Sequence, residues 1–265
     1  MPQSLVANNI PSERPHGKPV WLLLRLIRRV WREAVIQNNP PLGGSWGEPL
    51  TRRAARDIAH IRLRQLILAG QLEPGTCVPE SELASRVGVG RTPLREGIKA
   101  LEMQGLVSRL TNGRLMITPL TATNLRGLYA VRAALEVLIV KTVATEASSV
   151  AMGDTLQPII SRIRSYLEGS GDEVVAEGDR FHYALAEICT NEVAKAVIQQ
   201  LRDRIAIYRR VGTAHDPARF IEAAKEHIVI YELIACRQPD QAAARMEEHI
   251  RRGQEVVLRY LYGLG

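Results

Sequence analysis

Residues 75–119 read GTCVPESELASRVGVGRTPLREGIKALEMQGLVSRLTNGRLMITP, and this stretch decides the fold. From Glu80 to Val87, Leu83, Ala84 and Val87 share one side of a short helix. Gly88-Val89-Gly90 then makes a tight turn. Thr92-Pro93 opens the next helix, with Thr92 expected to cap the orphan amides and Pro93 suited to a first helical position. Leu94, Ile98 and Leu101 follow at the i, i+4, i+7 spacing of a buried stripe, and that helix should end near Gly105. Residues 106–110 and 115–118 are β-prone runs around Asn112-Gly113, a strong hairpin signal, and Pro119 closes the unit. Upstream, residues 51–70 form a helical pattern carrying Ile58, Ile61, Leu66 and Ile67. Three helices followed by a hairpin is the order of a winged helix-turn-helix.

The third helix of this unit turns Arg95 and Lys99, four residues apart, away from its apolar stripe. Arg91 and Thr92 stand at its positive end, where free amides and the helix dipole favour a phosphate. The planar fork of Arg95 matches the two acceptors on the major-groove edge of guanine. Gly113 and Arg114, at the hairpin tip, are placed to reach backbone or minor groove. Basic residues on a helix face are usually just a solvated face. Here the turn, the basic strip and the hairpin come in one order within a single short unit, which points to duplex DNA.

Charge agrees with this placement. Residues 1–50 carry a net +3, residues 51–120 a net +5 and residues 121–265 a net −1. Only the first part of the chain asks for an anionic partner, and charge alone leaves nucleic acid and a membrane surface both open.

The remaining sequence bounds the rest. Of 265 residues 46% are hydrophobic, which excludes wholesale disorder; aromatics are only 5%, so Leu, Ile, Val and Ala must build the core. Cys77, Cys189 and Cys236 are odd in number and far apart, which argues against a disulfide framework or a cysteine zinc site and for a reducing cytoplasm. Residues 1–19 read as a disordered tail and residues 37–50 as a Pro/Gly-rich linker. Between them VWLLLRLIRRVWREAVI, residues 20–36, reads as an amphipathic helix; Arg25, Arg28, Arg29 and Arg32 interrupt it too often for a membrane span. It suits either packing on the protein or an interfacial position. From Thr121 onward the pattern predicts helices at 123–147, 154–169, 172–189, 191–212, 217–236 and 239–262, with Asp172, Asn191, Asp216 and Pro239 as start signals. The expected fold is mainly α: an extension over 1–50, a winged helix-turn-helix over 51–120 and an all-α six-helix bundle over 121–265.

Three histidines in the bundle, His182, His227 and His249, each face inward from a different helix. A lone histidine on an apolar face is ordinarily a core residue with its hydrogen bonds satisfied. Three on separate helices, with Asp179 nearby, suit a divalent ion of the Zn, Ni or Mn class. Arg132 and Glu136, one turn apart, can form an ion pair.

The stretch ELASRVGVGRTPLREGIKALEMQGLV resembles the DNA-binding domain of the GntR family of bacterial transcription regulators, over about residues 56–119. LYAVRAALEVLIVKTVA, FHYALAEICTNEVAKAVIQQL and EHIVIYELIACRQPDQAAARMEEH resemble the FCD effector domain of its FadR-type subgroup, in the shorter VanR-like form. The resemblance implies a homodimer on a palindromic operator, the third helix in the major groove and the wing tip in the minor groove. It places Arg91, Thr92 and Arg95 at the usual contacts. It also implies a metal held by one Asp and three His, and a small carboxylate effector near Arg132. The chain departs from the family at Gly90, where a hydroxyl residue is common, at the wing tip Asn112-Gly113-Arg114, and at Gly178, where the acidic metal ligand usually stands. Asp179 is one residue later and shares a helix face with His182.

The reading that follows is a ligand-responsive repressor of cytoplasmic location that is not an enzyme, with residues 119–123 as hinge. The competing classes are a metal-dependent hydrolase in the bundle and a nucleoid-type DNA-binding protein without effector response.

Overall fold

The computed structural model describes residues 51–167 and 171–263. The expected tail, the helix over 20–36 and the linker lie outside the described residues.

The winged helix-turn-helix unit is built as its pattern demands. Helix α1 (Arg52–Leu68) starts where the Thr51 hydroxyl accepts from the Ala54 amide at 3.2 Å. Helix α2 (Glu80–Val87) ends on Gly88, whose φ of 66° is left-handed and suits a residue without Cβ. Helix α3 (Arg91–Met103) starts from Gly90, with no side-chain cap. The expected cap, Thr92, instead lies inside the first turn. Helix α3 packs directly on α1 at Gly97, where a Cβ would stand 2.8 Å from the His60 amide nitrogen and 3.0 Å from the Ala59 Cβ. Leu63, Ile67, Leu83, Leu94, Ile98 and Leu101 close the core beneath.

The expected hairpin forms around Gly113: β2 (Val107–Arg109) pairs antiparallel with β3 (Leu115–Ile117), Ser108 opposite Met116. A third strand was missed by the sequence reading. Strand β1 (Cys77–Val78) adds to the other edge of β3, giving the order β1-β3-β2. Two residues are too few for any alternation to show.

The bundle is helical throughout its described residues: α4 (Ala122–Glu146), α5 (Ser149–Thr155), α6 (Gln157–Tyr166), α7 (Gly171–Glu187), α8 (Glu192–His215), α9 (Pro217–Ala235) and α10 (Pro239–Tyr262). Asn191 and Asp216 cap α8 and α9 by accepting from the Ala194 and Arg219 amides at 3.0 and 3.1 Å. The helix expected over 154–169 is α6, and α5 precedes it as an additional short segment. The two meet at Leu156, and Pro158, which has no amide to donate, stands in the first turn of α6. Helices α4 and α10 pack along each other, and Phe181 on α7 is wholly buried in the centre of the core.

The two units share more than the stretch of chain that connects them. Ala206 and Ile207 of α8 belong to the core of the winged helix-turn-helix unit, where burying an isoleucine contributes about 1.5–3 kcal/mol. Arg64 of α1 donates two hydrogen bonds to Asp203, both 2.5 Å. The Arg210 guanidinium donates to the Leu68 carbonyl at 2.6 Å. The Tyr208 hydroxyl accepts from the Thr121 amide at 3.2 Å and donates to the Thr121 carbonyl at 3.1 Å, so α8 grips the connection between the units. Among the described residues no helix is long and apolar enough to cross a membrane.

Candidate nucleic-acid interface and metal centre

The apolar stripe of α3 points inward, with Leu94, Ile98 and Leu101 at 0% exposure, so Arg91, Thr92, Arg95 and Lys99 are left exposed on the outer side. Because no side chain caps α3, its first amides remain available to a phosphate. The Arg95 Nε donates to Glu80 at 2.8 Å, yet its side chain remains 63% exposed. Glu80 also pairs with Arg109; these two arginines outweigh its burial and hold its carboxyl below the usual range. Arg95 is thus steadied on the outer face by a carboxylate with a second partner. At the wing tip Gly113 has φ 78°, and both Gly113 and Arg114 are exposed. The Arg114 guanidinium donates to the Cys77 carbonyl at 2.7 Å, which ties the tip to β1.

In the bundle, α7, α9 and α10 bring His182, His227 and His249 together. Their three Nε2 atoms stand 3.2 Å from one another, an equilateral triangle. Donors about 2.0–2.1 Å from one metal ion are about 3.0 Å apart at right angles and about 3.4 Å apart at the tetrahedral angle, so this triangle fits a facial set of three. Two carboxylates complete the arrangement. The Nδ1 of His182 bonds Glu136 on α4, and the Nδ1 of His249 bonds Glu226 on α9 at 2.7 Å. A carboxylate at Nδ1 keeps the proton there and leaves the lone pair on Nε2, the tautomer a metal needs. Burial lowers the pKa of all three imidazoles: that of His249 falls to about 4 despite Glu226, and that of His227 falls well below the usual range. The cluster is therefore neutral near pH 7, and its converging lone pairs repel unless a cation or a proton lies between them. This donor set fits a divalent metal.

Asp179 lines the same cavity but does not join the three histidines; its carboxylate is ion-paired with Arg209 on α8. The reason is one residue of helix phase. A Cβ on Gly178 would lie 2.9 Å from His227 Cε1, so a side chain there would start against the ring, and one residue on it is turned towards α8 instead. Arg132 also lines the cavity, and its Nε donates to Glu136 at 2.6 Å, both residues being buried. The carboxyl of Glu136 is held far below the usual range by Arg132 and His182, against the effect of burial.

Sequence reasoning did not anticipate Glu226, Arg209 or Arg219 at this site. Glu226 directly precedes His227, Arg219 is a lone arginine near a helix start, and Arg209 is one of four arginines between 202 and 210, so no spacing marks any of them as a cavity residue. The cavity, of about 70 Å³, lies between α4, α7, α8, α9 and α10.

Residues 55–117 match the family described as bacterial regulatory proteins, gntR family, and residues 127–252 match the FCD domain. The HTH-type transcriptional regulator YdhC of Bacillus subtilis (strain 168) is 27% identical over 195 residues, covering 73% of this chain and 87% of its own length. The HTH-type transcriptional regulator YcbG of the same organism is 30% identical over 213 residues, covering 75% and 88%. Among solved structures, E. coli McbR/YncC superimposes with a TM-score of 0.63 at 16% identity, over 80% of this chain and 99% of its own, a likeness of fold.

Proposed function

The chain belongs to the gntR family of bacterial regulatory proteins and is a transcriptional regulator carrying an FCD domain; from that premise we propose that it is a repressor whose hold on a duplex operator is set by a small organic acid bound in the bundle beside a divalent metal. The observation that carries this reading is a single helix, α8, with one side in the DNA-binding core and the other at the histidine cavity. Ala206 and Ile207 face the first, and Arg209 lines the second.

On the DNA, Arg91 and Thr92 hold a phosphate at the start of α3, while Arg95 and Lys99 reach the major groove. Gly113 and Arg114 carry the wing to the adjacent backbone or minor groove. Seated over a promoter, this face would exclude polymerase. In the bundle His182, His227 and His249 hold the metal, which, when bound, supplies a Lewis-acidic anchor for a carboxylate. Glu136 and Glu226 keep the imidazoles oriented. Arg132 stands on the wall as a carboxylate-facing arginine. Asp179, paired with Arg209, links the cavity to α8. An acid that binds one placement of α8 better than another shifts the two DNA-binding units of a homodimer. Val131 and Leu138, seven residues apart on α4 and exposed, support dimerisation through the bundle. The site of action is the cytoplasm, on chromosomal operators.

The test is binding of purified protein to its own upstream DNA and to random DNA at physiological salt, with and without zinc and a panel of small carboxylates. The reading expects at least about a thousandfold preference for operator and a change in that affinity with one acid. Equal affinity for both DNAs would sink it.

A further inference from the structure

We propose that Arg219 forms a second anion subsite in the histidine cavity, so that the effector is a short dicarboxylate with one carboxylate on Arg219 and the other directed to the histidines. This inference rests on the acid-effector reading above and specifies the acid.

Arg219, in the first turn of α9, is 9% exposed and lines the cavity with His182, His227 and His249. Its Nη2 donates to Glu226 at 2.7 Å and to the His249 carbonyl at 3.3 Å. Its Nε and Nη1 are buried and have no hydrogen-bond partner. A guanidinium has five N–H groups, so the Nε–H and both Nη1–H groups are left, and buried donors without an acceptor are costly. They call for an oxygen-rich ligand.

The balance of charge gives the sign of that ligand. Three arginines and one aspartate line the cavity. Arg209 pairs with Asp179, and Arg132 pairs with Glu136, whose other partner is the neutral His182 ring and not a second guanidinium. Arg219 has only a share of Glu226, which also accepts from His249 Nδ1 and from Arg252 at 3.0 Å. Arg219 is therefore the least neutralised cation on the wall. Ala223, Ala224, Val256 and Val257 line the same cavity and offer an aliphatic spacer nothing to bond with. The small volume limits that spacer to a few carbons.

The test is calorimetric titration of full-length, zinc-loaded protein with acetate, propionate, malonate, succinate and glutarate. The wild type is expected to bind its best dicarboxylate at least about tenfold more tightly than propionate, since a polar slot left unpaired penalises the shorter acid. Arg219→Gln is expected to erase this preference while monocarboxylate binding persists, and Arg219→Lys to restore part of it. Circular dichroism checks the fold of both variants; should either fail to fold, the wild-type series decides alone. Equal wild-type affinity for propionate and every dicarboxylate overturns the subsite, as does a full preference retained in folded Arg219→Gln. A wild type that binds none of these acids overturns the acid-effector reading and the subsite with it, whereas binding without preference overturns the subsite alone.

Discussion

Replacing Glu136 with alanine is expected to damage the bundle in two separable ways. Glu136 and Arg132 are 5% and 4% exposed, and the carboxylate serves both the Arg132 guanidinium and the His182 Nδ1. Its loss strands a buried cation, which typically costs about 3–5 kcal/mol. At about 2–4 °C per kcal/mol for a chain of this size, the melting temperature of the metal-free protein should fall by about 6–20 °C. The same change frees the His182 ring to rotate and to move its proton, and loss of such a carboxylate typically weakens metal binding about 10–100-fold. Scanning calorimetry measures the first effect and a competitive zinc titration the second. The pair Arg132→Met with Glu136→Leu tells them apart: an apolar substitute for a buried ion pair is often neutral or stabilising, so stability should return while zinc affinity stays low. A Glu136→Ala protein that melts within about 2 °C of wild type and binds zinc equally well would refute the assignment of Glu136 to both tasks.

Arg91→Ala should weaken binding to all DNA alike and reduce the salt slope by about one, while Arg95→Ala should cost about 1–3 kcal/mol on operator and relax preference at one base pair; neither should alter melting, because both side chains are exposed. Gly178→Ala places a methyl 2.9 Å from His227 Cε1, so zinc affinity should drop even though alanine is the better helix former by about 1 kcal/mol. Metal-free protein should lose stability as pH falls from about 6.5 towards 4. Unfolded histidine takes a proton near pH 6.5, whereas buried His249 resists until about 4, so the unfolded chain binds more protons across that window. Each such histidine contributes a slope of up to about 1.4 kcal/mol per pH unit. Urea titrations at several pH values, with His249→Gln as control, would show it; parallel profiles would contradict it.

How much of this was legible beforehand depends on how local each signal was. The helix-turn-helix and its hairpin were readable because Gly88, the Leu94–Ile98–Leu101 stripe and Asn112-Gly113 act within a few residues of themselves. The three histidines were readable because each sits on the apolar side of its own helix. Strand β1 was not, being two residues whose pairing is decided by β3 almost 40 positions away. Thr92 was misread as a cap because its sequence context suits one, and only the backbone shows that the helix already begins at Arg91. Arg219 and Glu226 escaped notice for another reason: their roles come from which helix faces them, and helix phase gives direction without giving the neighbour.

Four consecutive residues of α8 (Ala206, Ile207, Tyr208 and Arg209) touch in turn the interior of the front unit, the connecting segment and the cavity wall. A chimera cut at residue 120 would therefore sever the chain at a place that is not its seam. A foreign DNA-reading head grafted there would meet an isoleucine shaped for another interior and a tyrosine gripping a peptide it does not supply. Recombination that exchanges such heads in nature would have to carry a short piece of α8 along, or repair it afterwards by compensating changes at positions 203 to 210.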